Sequence, residues 1–361
     1  MKNRYFVIFM ILSSGLLTAQ NGFSDILAAG VEAGERFSNS YMTPAAEAFN
    51  YNLSSGWYDD AKVLKPGKFK IQLKAQATFS PSDRKSFILD PEEYEEIIQR
   101  SYDNTNNPPA NIEVVFGDGS SSPRSVATAL GENVMNQQLI IRSREATTGF
   151  LLQEDVINLP NGIGNEGLDV IPTAFIQVGV GIGAGLELKG RIIPEVTIDE
   201  AKTDLYGVGL QWELSQLLSS DQNGFPLNIS VLGGLTRLNA SYDFEDGAVV
   251  DGENQSIETK INSFNFSAIV GTNRKVLNFY GGLNYNLGNT QTDLLGTYSF
   301  NSNTVIFPVA ATVEDPFSVD TNVSGFLGTV GAKLTLGAFN VSADYTFGEF
   351  STASASLFFR I

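Results

Sequence analysis

From Lys68 to Phe79 the chain alternates without a break. Phe69, Ile71, Leu73, Ala75, Ala77 and Phe79 fall on one face; Lys68, Lys70, Gln72, Lys74, Gln76 and Thr78 fall on the other. Period two is the side-chain repeat of a β-strand. The run is longer than the usual strand of a soluble sheet and matches a tilted membrane-crossing strand. A second run sets Ile176, Val178, Val180, Ile182, Ala184, Leu186 and Leu188 against Gln177, Gly179, Gly181, Gly183, Gly185, Glu187, Lys189 and Arg191. Further strands are predicted at Leu205–Leu214, Leu227–Phe244, Lys260–Gly271, Val276–Leu287, Phe317–Leu336, Phe339–Phe347 and Thr352–Ile361. Tight links at Asn273-Arg274 and Gly337-Ala338 contrast with long ones at Asp243–Glu258 and Gly288–Pro316. Short turns on one side and long loops on the other are the signature of an antiparallel transmembrane β-barrel. Ser215–Ser220 reads as a brief helical turn between two strands.

Two regions break this rhythm. In residues 21–66, Ser24 can cap a helix from Asp25 to Arg36, and Thr43-Pro44 offers a second start, Thr as N-cap and Pro in the first turn. This segment is expected to be a short helical plug or hatch, on the periplasmic side or in the barrel mouth. Residues 80–170 are too long for a plain loop. Asp90-Pro91 can start an acidic helix through Gln99, Asn104–Pro109 is rich in turn residues, and Ile112–Phe116 and Gln138–Arg144 are short strand candidates. The block reads as an elaborated surface loop or inserted subdomain. Nine strands are read directly, and a single-chain bacterial barrel uses an even number. The block is therefore expected to add at least one crossing, for about ten strands within a range of roughly eight to fourteen.

The ends agree. Lys2 and Arg4 precede an apolar run from Tyr5 to Leu17, and Thr18, Ala19 and Gln20 offer a cleavage site, so residues 1–20 are expected to be an export signal. No Cys follows that run, which excludes a lipoprotein. Beyond it, the best candidate for a spanning helix, Val170–Leu188, is interrupted by glycines and carries Gln177 and Glu187. A membrane location would then require a closed barrel, because hydrocarbon tolerates no unpaired backbone. The last strand sets Ala353, Ala355, Leu357, Phe359 and Ile361 against Ser354, Ser356 and Arg360. Such an ending resembles the signal by which barrel-assembly machinery recognises its substrates, and a terminal strand can pair with the first to leave no open edge. The expected domains are thus 1–20, 21–66 and a barrel over 67–361.

Composition narrows the function. A mean hydropathy of −0.02 is soluble-like, as expected where lipid-facing apolar and lumen-facing polar residues alternate. The formal charge of −17 falls to −19 if Lys2 and Arg4 leave with the signal, which disfavours nucleic acid. The acids gather at Asp90–Glu96, Asp243–Glu258 and Glu314–Asp320 and read as solvated loops, with divalent-cation bridging to surface polysaccharide as the alternative. There is no His and no Cys. That removes the imidazole base of most outer-membrane hydrolases and the usual zinc ligands, so neither an enzyme nor a bound metal or cofactor is expected. Asp59-Asp60 and Glu92-Glu93 could suggest a carboxylate pair, but adjacent acids point apart on a strand and read as solvated.

The run Gly179-Val180-Gly181-Ile182-Gly183-Ala184-Gly185 lacks the Lys-Ser/Thr of a phosphate loop. Its glycines share the face opposite the aliphatic residues. They either leave room in the lumen for a plug, loop or ligand or bend the strand to close the barrel. The lumen-facing candidates are Lys68, Lys70, Lys74, Gly179, Gly181, Gly183, Gly185, Glu187, Lys189 and Arg191. Mixed charge on these faces would line a hydrated pore, fix an internal plug, or form internal salt bridges.

Several short motifs carry a resemblance: Tyr41-Met42-Thr43-Pro44, Gly56-Trp57-Tyr58 with Ala61, Leu159-Pro160-Asn161-Gly162, Gln177-Val178-Gly179-Val180-Gly181, Arg191-Ile192-Ile193-Pro194-Glu195, Gly207-Val208-Gly209-Leu210 and the Ser215–Leu218 turn. Across nearly the whole mature chain the sequence resembles an uncharacterised group of Bacteroidota outer-membrane barrels, a domain of unknown function, distantly similar to long-chain fatty-acid transporters. The resemblance implies a barrel whose N-terminal segment acts as a hatch, with hydrophobic small molecules as cargo; no ligand residue is carried over from it. The expectation is therefore an outer-membrane barrel, in contact with outer-membrane lipid, that passes small or hydrophobic compounds. The alternatives are a non-transport adhesin, scaffold or accessory subunit, and a soluble periplasmic β-protein.

Overall fold

A computed structural model describes residues 30–104, 109–132, 137–166, 170–198, 200–218, 227–244, 251–300 and 311–360. The export signal at 1–20, the helix start at Ser24–Asp25, most of the turn-rich stretch before Pro109, parts of the long loops, and Ile361 lie outside them.

The chain opens with helix α1 (Val31–Ser54) and reaches strand β1 (Phe69–Phe79). Then come β2 (Ser86–Leu89), helix α2 (Pro91–Asp103), β3 (Ala110–Phe116), β4 (Arg124–Ala127), β5 (Gln138–Glu145) and β6 (Leu151–Asn158). The remaining elements are β7 (Val170–Gly183), β8 (Leu186–Ile198), β9 (Ala201–Glu213), helix α3 (Ser215–Leu218), β10 (Leu227–Asp243), β11 (Ser256–Thr272) and β12 (Leu277–Leu295). A small hairpin, β13 (Thr297–Phe300) with β14 (Ala311–Glu314), precedes β15 (Phe317–Leu336), β16 (Phe339–Phe347) and β17 (Thr352–Arg360).

Ten strands, β1, β7–β12 and β15–β17, close into one antiparallel barrel in which each pairs with its sequence neighbours in the ring. The last strand seals it: β17 pairs with β1 from Lys70↔Arg360 to Thr78↔Thr352. Closure leaves no edge strand, as a lipid environment demands. The pattern read from the sequence is present inside-out relative to a soluble protein. On β1, Lys70, Gln72, Lys74, Gln76 and Thr78 are buried in the lumen, while Leu73 is 59% exposed on the outside. On β15, Lys333 is buried and Phe326 is 83% exposed. An apolar exterior around a polar interior is the barrel solution for lipid. Among the described residues no helix is long and apolar enough to cross a membrane.

Two expectations change. The run from Ile176 to Arg191 is not one strand but a hairpin. Gly183 (φ +101°), Ala184 (φ 50°) and Gly185 (φ +74°) turn the chain, and alternation survives because Gln177, Gly179 and Gly181 pair with Arg191, Lys189 and Glu187. The tenth strand comes from this split. The 80–170 block supplies none: its β2–β4 and β3–β5–β6 sheets are separate from the barrel. It forms its own core, where Leu89, Ile98, Ile112, Val114 and Ile141 pack with Ala33, Phe37 and Tyr41 of α1. The predicted acidic helix is α2, with the Asp90 carboxylate accepting from the Glu92 N–H.

The N-terminal segment also differs. α1 is one helix that runs through Pro44 rather than two short ones. A proline inside a helix costs about 3 kcal/mol. Buried Phe37, Tyr41, Tyr51 and Leu53 on the same helix, at about 1.5–3 kcal/mol each, outweigh it. The start of α1 lies with the subdomain at the long-loop end, where Glu32 pairs with Arg100 and Arg36 with Glu93. Its far end lies in the lumen. The chain then continues to the short-turn end, where Gly67 and Lys68 bond to Gly181 and Lys65. The segment therefore threads the barrel from the long-loop end downward; of the two expected placements it takes the barrel mouth and lumen rather than the short-turn side.

Bacterial barrels place short turns in the periplasm and long loops outside. The chain has no Cys of its own, so single cysteines report without background. Glu35→Cys, at the exposed start of α1, should react with a membrane-impermeant maleimide on intact cells. Lys65→Cys should react only after the outer membrane is permeabilised. The reverse pattern would refute this direction of threading.

Candidate functional site

The lumen divides into a polar lower half, where residues 53–66 are held, and an apolar upper half beside α1. The lower half begins where α1 ends. The last carbonyls of a helix lack intrahelical partners, and here Arg191 supplies them: its guanidinium donates to the Leu53 and Ser55 carbonyls at 2.8 Å each. The same group lies over the rings of Trp57 at 3.7 Å and Phe175 at 4.7 Å and donates to Gln177 Oε1 at 2.8 Å. A cation is favoured at a helix C-terminus, and the planar guanidinium can both bond and stack. Lys74 Nζ donates to the Gly56 carbonyl.

One turn further, Asp59 and Asp60 diverge. Asp59 Oδ1 accepts from Lys70 Nζ at 2.5 Å, and Asp60 Oδ2 accepts from Lys333 Nζ at 2.6 Å. Lys70 also reaches Glu187 Oε1 at 3.1 Å, which Lys189 meets at 2.7 Å. Two wall carboxylates then bind the backbone of the plug: Glu187 Oε2 accepts the Leu64 N–H at 2.9 Å and Glu213 Oε2 the Val63 N–H at 3.0 Å. Gln211 donates to the Asp60 carbonyl at 2.9 Å. Among the described residues the fully buried charges are five acids (Asp59, Asp60, Glu187, Glu213, Asp344) and five bases (Lys70, Lys74, Lys189, Arg191, Lys333), which balance formally.

Small residues in the wall give the plug its space. A Cβ on Gly209 would lie 2.8 Å from the Trp57 ring and one on Gly234 2.6 Å from it. A side chain at Gly179 would meet Glu187 Oε1 at 2.8 Å, and one at Gly181 would strike the backbone of Leu64 and Lys65.

The candidate residues thus separate. Lys70, Lys74, Glu187, Lys189 and Arg191 converge on the plug, and Gly179 and Gly181 make room for it. Lys68 is exposed at the short-turn end, and Gly183 and Gly185 form the hairpin turn. Asp59 and Asp60, expected to be solvated, are buried; their divergence, foreseen on a strand, lets each meet a different lysine. Lys333 and Glu213 were missed. Each lies on the inner, polar parity of its strand, β15 or β9, which was the available signal.

Above the plug, a cavity of about 200 Å³ lies between α1 and the wall. Met42, Ala45, Ala46 and Phe49 of α1 face Leu238, Ile257, Ile261 and Val319 across it. Its polar edges are mostly threonines, among them Thr203, Thr290 and Thr321, and Lys202, the one charged lining residue among the described residues, pairs outside with Asp243 at 2.8 Å. An apolar cavity of about 150 Å³ can hold a benzene ring.

Together these features define an outer-membrane-type β-barrel with a fixed internal plug and an apolar chamber above it. The chain belongs to a family of unknown function (DUF6588), whose model matches residues 1–361. Comparison with curated proteins returns no match. Similar solved structures include Ail, the attachment invasion locus protein of Yersinia pestis, at 11% identity, TM-score 0.25, covering 49% of this chain and 94% of that one. The translocator domain of the autotransporter NalP from Neisseria meningitidis aligns at 10% identity, TM-score 0.28, over 82% and 88%. The transport unit of the autotransporter AIDA-I from Escherichia coli aligns at 9% identity, TM-score 0.29, over 88% and 98%. At these scores no property is transferred, and the barrel assignment stands on the strand pairing of this chain.

Removing one partner of a buried ion pair leaves an uncompensated charge and costs about 3–5 kcal/mol. Asp59→Asn should destabilise the folded barrel by that order, read as a lower temperature for the heat-modified gel shift. Lys68→Gln, on an exposed side chain, should stay within about 0.5 kcal/mol of the parent. Equal stability of the two variants would show that the ion cluster does not hold the plug.

Proposed function

We propose that this protein is an outer-membrane barrel that captures small apolar molecules in the chamber beside α1 and passes them onward when the plug below yields. The apolar chamber is the observation that carries this reading. Ligand sites are mostly apolar concavities with few convergent polar groups, and a hydrated pore for ionic solutes would not be walled by Phe49, Leu238, Ile257 and Val319. The motifs' resemblance to a barrel group that is distantly similar to long-chain fatty-acid transporters is in keeping with the same substrate class. An outer-membrane location is supported by the ring closure, the apolar exterior and the export signal read at residues 1–20. No catalytic role is proposed; the lack of His and Cys supports a binding or transport function.

Filling the chamber tests the reading. Ala45→Trp should weaken binding of an environment-sensitive naphthyl or alkyl fluorophore by roughly tenfold or more, equivalent to about 1.4 kcal/mol. The melting behaviour should be retained. Unchanged binding in a folded variant would remove the chamber as the binding site.

A second reading has its own observation. The subdomain over 80–166 exposes Ile88 (66%) and Phe150 (74%), with Leu151 and Leu152 beside Phe150. Solvated apolar residues grouped in this way mark interaction sites, which supports an adhesin, scaffold or accessory subunit. Mild-detergent purification from native membranes should then recover a stoichiometric partner that Phe150→Ser with Leu152→Ser releases. Recovery of the parent as a lone monomer would leave the transport reading alone.

A further inference from the structure

We infer that the free edge of strand β6 is a docking site for an extended segment of a partner protein, basic and apolar in pattern, which adds to the β3–β5–β6 sheet as its next strand. The inference rests on the interaction reading of the 80–166 subdomain given above; it adds how the partner binds and what its sequence must present.

In the strand order β3–β5–β6 the two edges are β3 and β6. An edge strand turns a row of N–H and C=O groups outward, and proteins usually cover or blunt it. The β3 edge is covered. Helix α2 lies along it and its side chains stand in for a further strand. Gln99 Oε1 accepts the Ile112 N–H at 2.8 Å, Gln99 Nε2 donates to the Ala110 carbonyl at 3.1 Å, and Glu95 Oε2 accepts the Val114 N–H at 3.2 Å.

The β6 edge has no such cover. The Leu159 N–H donates to the Gln137 carbonyl at 3.0 Å, and the register continues as Leu139↔Ile157 and Ile141↔Asp155. Bonded and non-bonded pairs alternate in an antiparallel ladder, so the odd-numbered residues of β6 bond to β5. Glu154, Val156 and Asn158 then turn their N–H and C=O away from β5, and all three are exposed. Among the described residues no strand pairs with that side of β6. The strand also contains neither Pro nor Lys, two residues that commonly blunt an edge.

The side chains define the strand that fits. Two rows cross the face of the sheet that carries Val156 and Glu154. One reads Val115, Ile140, Val156, and its exposure grows from 5% at Val115 to 45% at Val156. The other reads Glu113, Arg142, Glu154 and alternates in sign, Arg142 meeting Glu113 at 3.8 Å and Glu154 at 2.6 Å. Glu113 has a second cation in Arg144 at 3.0 Å, whereas Glu154 has Arg142 on one side and the open edge on the other. Opposite charges across a strand pair are favourable and like charges unfavourable. The incoming strand therefore presents a cation opposite Glu154 and an apolar residue opposite Val156, with a second apolar residue towards exposed Leu152.

A second copy of β6 does not meet this requirement. Paired antiparallel with itself about Glu154, it sets Glu154 on Glu154; about Asp155, it sets Asp155 on Asp155. In strand addition the main-chain bonds give affinity and alternate side chains give specificity. The partner segment thus reads apolar–x–cation–x–apolar.

The test uses the full chain folded in detergent micelles and the synthetic peptide Thr-Val-Thr-Lys-Thr-Val-Thr. Binding is followed by fluorescence anisotropy of the labelled peptide and by residue-resolved amide hydrogen exchange. The peptide should bind and slow exchange at Glu154, Val156 and Asn158, with Ile112 and Val114 on the covered edge unchanged. Glu in place of the peptide's Lys should weaken binding roughly three- to tenfold. N-methylation of its Lys and Val nitrogens, which keeps every side chain, should abolish binding. So should Val156→Pro, tolerated because that N–H faces outward, while the Leu139 and Ile157 amides stay protected. Binding that survives N-methylation or Val156→Pro would overturn strand addition. If the peptide does not bind but native membranes still yield a partner that Phe150→Ser with Leu152→Ser releases, strand addition is overturned and the interaction reading stands. Failure of both would overturn both.

Discussion

A charge inside a barrel must be paired or it costs several kcal/mol, and this constraint determines where residues 55–66 lie. Lys70, Lys74, Lys189, Arg191 and Lys333 enter the lumen because strand parity points them there. Without the plug they would face few acids other than Glu187, Glu213 and Asp344. Asp59 and Asp60 supply the missing charge, and the carbonyls of Leu53, Ser55 and Gly56 supply the missing acceptors. Wall and plug are thus each incomplete alone. The glycines follow from the same constraint, since Trp57 can stack on Arg191 only where Gly209 and Gly234 leave the wall bare.

Neutralising the lower half frees the upper half to be apolar. There α1 is small-sided at Ala45 and Ala46, the wall turns aliphatic, and a chamber remains. The boundary falls near Leu53, which packs with Leu205, Leu238 and Ile261. Above it the lumen wall is apolar; below it the buried charges pair with one another and with the plug.

The barrel was legible in the sequence because alternation on β1, β10, β15 and β17 survives with little disturbance. The expected total of about ten strands matches the ten in the ring, for a different reason from the one given. Gly183–Gly185 preserves parity through a turn, so one hairpin reads as one strand, while the short strands of the 80–170 block imitate a crossing. The plug's path was not legible. The pattern of α1 shows that it is a helix but not which mouth it enters, and that depends on Glu32, Arg36 and Tyr41 meeting residues far along the chain. Asp59-Asp60 looked like solvent-facing charge because their partners, Lys70 and Lys333, converge only when β1 and β15 are bent into one ring. The acids Glu187 and Glu213 carried a parity signal, but no periodicity announces that a carboxylate will bind the plug's backbone.

The direction of threading bears on force. A plug whose free end hangs inside the cell envelope can be pulled out by a motor that grips it there. Here the described start of α1, at Val31, lies with the long loops. The opposite end, Pro66–Lys68, runs straight into β1. A pull applied there would load the first strand and its seam with β17 before it moved the helix. A pull on Pro66–Lys68 would thus strain the wall before it freed the plug, and β17 could complete the ring only around a chain already in place.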